Sequence, residues 1–380
     1  MDGKQIGDRP GESDVLGRLL DGDHRALARA ITWIENRSPG YRELVAGLHE
    51  HTGDAAVIGI TGSPGAGKST LVDKLAAAYR ADGLTVGVIA VDPSSPFTGG
   101  AVLGDRIRMG SNVGDMDVFV RSMSARGSLG GVSLATADAV KALDAFGKDR
   151  ILVETVGAGQ NEIDVVKTAD TVAVLLQPGS GDDVQMLKAG ILEIADVFCV
   201  NKADRDGVDR VVNELREMLD LRNDDAAAAA GHHGTAGVAA DGTHGTDDAD
   251  STDSVDDDTD DGDRTATSSD GEPTTWEPPI VETVATQGEG VGAFRDALDD
   301  HRTYLDRSGR LEAIGRTRAA EEIRALLRED ANRLVAEEIE SRGGIEALAG
   351  AVAARETDPY TVADGVLEPL AECVREQRQR

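Results

Sequence analysis

Aromatic side chains are scarce in this chain, at 3% of 380 residues, with two Trp, four Tyr and five Phe. A core built without them must come from Val, Leu, Ile and Ala, which favours helices packed on a buried sheet. Cysteine is scarcer still. Cys199 and Cys373 cannot make a disulfide framework and lack the spacing of a metal site. Cys199, inside the apolar run Val197–Val200, reads as a small core residue, and Cys373 as one that packs on a terminal helix. Positive charge is also short: 39 Lys and Arg face 70 Asp and Glu, for a net charge of −31. A nucleic-acid groove needs a Lys/Arg surface to replace condensed counterions, so no DNA or RNA partner is expected. Only eight of the basic residues are Lys. That balance suits a protein dissolved in concentrated salt, where screening removes self-repulsion, and points to a halophilic source. No run approaches the roughly 18 apolar residues needed to span a bilayer. The opening Met1-Asp2-Gly3-Lys4 has no apolar stretch behind it to act as a secretory signal. A cytoplasmic protein without a membrane partner is expected.

Helical spacing of Val15, Leu16, Leu19, Leu20, Leu27, Ala30, Ile31 and Ile34 predicts two or three helices over residues 13–50. From Ala55 the pattern changes to short β-branched runs separated by helix-length segments: 57–60, 86–91, 151–153, 172–176, 197–200 and 280–284. Continuous apolar strands alternating with helices predict an α/β fold with a mostly parallel sheet covered on both faces. Between Asn223 and Thr275 the composition collapses to Asp, Ala, Gly, Thr and Ser, with 15 acidic residues and one basic, Arg264. Such a stretch buries too little apolar surface to offset the entropy of ordering, and it reads as a disordered acidic insertion. His232, His233 and His244 within it are open to two readings, a metal-holding tract or a solvated linker. After Gly290 the chain is helical again, with an Ala/Leu/Glu/Arg-rich tail from Leu311 that Pro359 and Pro369 divide. The tail could cover the sheet or join two subunits. The expected partition is an N-terminal helical extension (1–54), a sheet domain (55–309) and a C-terminal helical arm (310–380).

The sharpest chemical signal is Gly62-Ser63-Pro64-Gly65-Ala66-Gly67-Lys68-Ser69-Thr70, which follows one strand and opens a helix. It fits the spacing of a phosphate-binding loop. Glycines let backbone N–H groups point at phosphates, the helix N-terminus adds a favourable field, and Lys68 can reach the β- and γ-phosphates. Ser69 is placed to offer its hydroxyl to Mg²⁺. A plain glycine turn is the competing reading, but such a turn has no need of Lys-Ser at these positions. Glu154, three residues before Gly157 at the end of a strand, could order the metal's water shell while the Gly157 N–H meets the γ-phosphate. Asn201-Lys202-Ala203-Asp204 follows another strand. A carboxylate at 204 would accept the N1–H and 2-amino group of guanine, Asn201 would meet the other edge of the base, and the Lys202 stem would lie over its ring. These residue types also suit a polar β-to-α turn. Ala285 and Thr286, after the last strand, could supply backbone contact to the base oxygen. Asp92 and Asp105, on a Gly- and Pro-containing stretch, are candidate metal-shell or water-positioning carboxylates, or else helix caps and turn formers. Gln177, Asp182, Asp183, Gln185 and Lys188 mark a second connection suited to a switch, although Lys188 could equally sit on a solvated helix face.

Together these strings resemble the MeaB/ArgK family of P-loop GTPases, relatives of the human methylmalonic aciduria type A protein within the G3E group. The likeness runs through residues 62–70, 91–96, 103–109, 124–131, 154–160 and 201–204, from about residue 10 to the end apart from the acidic insertion. It implies a P-loop NTPase fold and a GTPase that turns GTP into GDP and phosphate. It further implies a role in loading and protecting adenosylcobalamin-dependent methylmalonyl-CoA mutase, and a homodimer formed by C-terminal helices. By the same likeness Ser69, Asp92, Asp105 and Glu154 would surround Mg²⁺, and residues 177–188 would relay nucleotide state to the mutase, with Lys188 a signalling residue. No residue stands out as a strong general base or as an arginine finger within the chain, so slow intrinsic hydrolysis quickened by a partner is expected. Two alternatives remain open at this point. One is an ATPase or kinase serving lysine/arginine/ornithine transport, against which the guanine motif argues. The other is a metal-insertion GTPase, which needs a Cys/His site near the switches that the sequence does not offer.

Overall fold

The computed structural model describes residues 13–92, 110–112, 114–124, 131–155, 168–179, 192–231 and 275–378. Among them seven strands form one sheet: β1 (Ala56–Gly62), β2 (Val86–Asp92), β3 (Val118–Ser124), β4 (Arg150–Thr155), β5 (Thr171–Leu176), β6 (Val197–Asn201) and β7 (Ile280–Thr283). Every pairing is parallel, in the order β3-β2-β4-β1-β5-β6-β7. Six of these strands coincide with the apolar runs of the sequence. The seventh, β3, opens on the apolar triplet Val118–Val120, which the sequence reading passed over; it is an edge strand, paired on one side alone, and carries Arg121 and Ser122 on a half-buried surface.

The central strand β1 is buried along its whole length, as a parallel strand covered on both faces must be. Period-two alternation divides its core. Ile58, Ile60, Leu152, Ala173, Leu175, Val197 and Cys199 face one way, against α4 (Lys68–Ala81) and α7 (Val291–Arg307). Val57, Ile89, Val91, Ile151 and Val153 face the other way. They pack beneath α5 (Gly131–Ala145) and three N-terminal helices, α1 (Ser13–Leu20), α2 (His24–Asn36) and α3 (Tyr41–His49). Helix α6 (Val208–Gly231) covers Val172, Val174, Phe198 and Val200 on that same face. Asp144 on α5 accepts the N–H groups of Gly53, Asp54 and Ala55 at 2.7, 3.3 and 3.0 Å, which fastens the entry into β1.

Three sequence expectations change in detail. Helix α6 runs to Gly231 and so enters the stretch read as disordered, carried by Ala226–Ala230, the residue type with the highest helix propensity. Residues 232–274, with His232, His233 and His244, lie outside the described residues. The flanks of that stretch are both tied to the turn before β6. Arg222 donates to the Leu192 carbonyl at 2.9 Å and the Trp276 indole donates to the Asp196 carbonyl at 2.7 Å, at the amino ends of the strands. In the tail, Pro359 opens α10 (Pro359–Arg378), but Pro369 lies inside that helix and does not divide it. The breaks fall instead at 342–343 and 354–358, between α8 (Arg310–Ser341), α9 (Gly344–Ala353) and α10. Cys373 lies on α10 and is exposed, whereas Cys199 is buried as expected.

Helix α8 buries no residue. It meets the body of the protein through charge: Arg318 with Asp170, Glu322 with Lys141, Glu329 with Arg37 and Asp330 with Arg42. At about 100° per residue, Arg318, Glu322 and Glu329 fall on one side of the helix, and Ile323, Leu327 and Leu334 on the opposite side. Those three apolar side chains are exposed.

Candidate nucleotide site

Strand β1 ends in Gly62, and the loop from there to Gly67 wraps back over the N-terminus of α4 at the carboxyl end of the sheet. This is where ligands of open α/β sheets bind. Two glycines are required by contact. A Cβ on Gly62, at φ +138°, would lie 2.0 Å from the Leu175 carbonyl oxygen of β5, and one on Gly67, at φ +94°, would lie 2.5 Å from the Asn201 amide nitrogen. The loop is pinned by Ser63 N–H donating to the Leu175 carbonyl at 3.2 Å and by Ala66 N–H donating to the Ser63 carbonyl at 3.1 Å. Ser63 and Ala66 are buried, while Pro64 and Gly65 are exposed at the rim. The Lys68 ammonium turns into the concavity, donating to the Gly62 carbonyl at 2.6 Å and the Ser63 carbonyl at 3.1 Å. One residue on, the Ser69 hydroxyl donates to Glu154 Oε1 at 2.5 Å. Glu154 is buried on β4, in register with Ile60 of β1. Thr70 follows, half-buried, on the first turn of α4.

Asn201 closes β6 and ties two turns together. Its side chain is buried. It donates to the Ala66 carbonyl at 2.7 Å and accepts from Thr283 Oγ1 and the Ala285 N–H, both at 3.1 Å. One amide thus welds the phosphate loop to the turn after β7. The same bond takes the Ala285 N–H away from any base, so of the pair Ala285–Thr286 only Thr286 stands exposed at the tip of that turn. Lys202 adopts a left-handed φ of 62° and lays its stem across the loop, its ammonium donating to the Gly65 carbonyl at 2.6 Å and to Gln177 Oε1 at 2.5 Å. Partial burial, and after it the Arg205 charge, lower the pKa of that ammonium. Asp204 is exposed beside it.

Other sequence candidates lie partly or wholly outside the described residues. Asp92 ends β2, its backbone in register with Ser124, but its side chain is not described. Asp105, Gly157, Asp182, Asp183, Gln185 and Lys188 are not described at all. Asp73, which motif reading missed, is buried on α4 one turn beyond Ser69. It accepts the Ser111 N–H at 3.1 Å and an Asn112 amide hydrogen at 3.0 Å, clamping the chain that follows residue 109 to the phosphate-loop helix. Nothing in a single helix sequence announces such a clamp, since its partners lie 38 and 39 residues away. Among the described residues no group of three or more His, Cys, Asp and Glu is gathered as a metal site, and no helix is long and apolar enough to cross a membrane.

With this geometry in place, comparison with known proteins decides the family. Residues 27–340 match the family described as methylmalonyl Co-A mutase-associated GTPase MeaB. The chain belongs to the MeaB family. A Pyrococcus abyssi protein named as a GTPase is 44% identical over 360 residues, covering 94% of this chain and 96% of that one. The GTPase ArgK of Escherichia coli is 30% identical over 331 residues, covering 86% and 87%. A solved structure titled as an LAO/AO transport system kinase shares the fold with a TM-score of 0.57 at 24% identity, covering 98% of this chain and all of that one. As a MeaB-family member this protein is a P-loop GTPase that binds guanine nucleotide.

Proposed function

We propose that this MeaB-family GTPase is Mg²⁺-dependent and serves as a chaperone of adenosylcobalamin-dependent methylmalonyl-CoA mutase, gating cofactor loading and protecting the loaded enzyme. The observation that carries the reading is the match over residues 27–340 to a family described by its association with that mutase.

In the site itself, Gly62–Gly67 would wrap the phosphates with backbone N–H groups, and the Lys68 ammonium would exchange its two carbonyl acceptors for β- and γ-phosphate oxygens. Mg²⁺ fits the donors present, because Ser69 and Glu154 set two hard oxygen ligands side by side, 2.5 Å apart. Ser69, Asp92, Asp105 and Glu154 would hold the ion, which supplies charge neutralisation on the transferring phosphoryl group. The Gly157 N–H would donate to the γ-phosphate. Asp204 would accept the N1–H and 2-amino hydrogens of guanine, Lys202 would lie along the ring, and Thr286 would offer its N–H to the base oxygen. Asn201 would hold these elements at fixed separation, with its second amide hydrogen left to meet the other edge of the base.

Positioning and charge account for catalysis in such a site, and neither a strong general base nor an arginine finger is evident among the described residues. Intrinsic turnover is therefore slow, and a partner that fixes residues 177–188, among them Gln177, Asp182, Asp183, Gln185 and Lys188, would quicken it. The arm at 310–380 is our candidate for homodimer contact, through the exposed side of α8. The test is GTP turnover with and without the mutase, with ATP as control. A transport ATPase or kinase would use ATP as readily and ignore the mutase.

A further inference from the structure

Gln177 is the first residue beyond β5, half-buried between two loops that approach each other from different parts of the chain. Its carbonyl oxygen Oε1 accepts the Lys202 ammonium at 2.5 Å, and its amide Nε2 donates to the Pro64 carbonyl at 3.4 Å. The outer wall of the phosphate loop lies against it: a Cβ built on Gly65 would sit 3.7 Å from that same Nε2. Lys202 has a flexible four-carbon stem and a left-handed backbone that a non-glycine residue holds only when its surroundings impose it. Its ammonium has two acceptors here, the Gly65 carbonyl and Gln177.

We infer that Gln177 is a positioning residue for the base: it fixes the Lys202 stem as the wall on which the nucleotide ring stacks, and ties that wall to the phosphate loop. Base and phosphates are then gripped at one spacing. The inference rests on the guanine reading of residues 201–204. It makes a separable demand, because an aliphatic wall accepts any purine ring, whereas Asp204 reads the 2-amino group that inosine nucleotides lack. Loss of Gln177 should weaken both kinds of nucleotide equally.

The experiment titrates the full-length protein with methylanthraniloyl-GDP and methylanthraniloyl-IDP, and measures single-turnover hydrolysis at saturating GTP. Gln177→Met keeps the length of the side chain and removes the hydrogen bonds to Lys202 and Pro64. It should raise both dissociation constants by roughly tenfold, as expected for a lost hydrogen bond to a charged donor. The GDP:IDP ratio and the melting temperature should be unchanged. Gln177→Glu retains the acceptor for Lys202 and should recover most of the lost affinity. Unchanged binding in Gln177→Met, an altered GDP:IDP ratio, a loss confined to turnover, or no recovery in Gln177→Glu would each overturn the inference. Wild-type protein that bound neither nucleotide would overturn the guanine-site reading itself. Asp204→Asn, which should lose GDP more than IDP, distinguishes the two failures.

Discussion

Asp204 and Asn201 stand three positions apart in one motif, yet their replacement should fail in different ways. Asp204 is exposed, so Asp204→Asn should leave the melting temperature unchanged. Turning one acceptor into a donor that faces donors should weaken GTP binding by roughly 10- to 100-fold, which a nucleotide titration reads. Asn201→Ala instead strips partners from the Ala66 carbonyl, Thr283 Oγ1 and Ala285 N–H, all within the protein. It should cost about 3 kcal/mol of unfolding free energy in a denaturant titration, besides raising the KM for GTP. A stability loss below about 0.5 kcal/mol would mean that the weld carries little. The sequence made the residue types at this site legible, because phosphate and guanine chemistry demand fixed types in short contiguous runs. Where each side chain points was not legible. The Asn201 amide could face a base or the protein, and Gln177 meets Lys202 across 25 residues with no local pattern to announce the pair.

At the scale of elements, six strands could be read because continuous apolar runs are what a doubly covered parallel sheet requires. The edge strand β3 carried a shorter mark, Val118–Val120, which breaks off at Arg121 and Ser122. The sequence did not disclose how α7 is fixed to the amino end of the sheet. His301 on α7, buried at 3% exposure, has Nδ1 2.9 Å from Thr171 Oγ1 and Nε2 3.4 Å from Asp196, with the Trp276 ring tilted against it and Tyr304 stacked beside it. Burial, and after it the Arg310 charge, push the imidazole down to about 4. Its contribution to stability is thus complete above the unfolded value of about 6.5 and is lost as pH falls towards about 4. Asp196 works in the opposite sense. Burial raises its carboxyl, so its contribution is present below the unfolded value of about 3.9 and is lost as pH rises. The two slopes oppose one another between about pH 4 and 6.5. Asp196→Asn removes one of them, and the melting temperature of the variant minus that of wild type should climb across this interval. A flat difference would contradict the assignment.

For the whole molecule, the sheet, the N-terminal helices and the helical tail were all legible in outline, because amphipathic spacing reports which segments have a face to bury. What α8 does with its two faces was not. Its charged side meets the body of the protein through Asp170, Lys141 and Arg37, while Ile323, Leu327 and Leu334 lie open on the other side. If a second copy covers that apolar side, Leu327→Asp should shift the protein from dimer to monomer in analytical ultracentrifugation and leave basal GTP hydrolysis within about twofold, since charge in an apolar contact is costly. A wild-type monomer, or an undisturbed dimer in the variant, would remove α8 from the interface. The most direct test of the account as a whole is phosphate release from GTP in high-molar KCl, with and without methylmalonyl-CoA mutase from the same source, with ATP and Lys68→Ala as controls. The account predicts slow turnover of GTP alone, acceleration of about tenfold or more by the mutase, and negligible release from ATP or by Lys68→Ala. GTP turnover indifferent to the mutase, or ATP hydrolysed as readily as GTP, would contradict it.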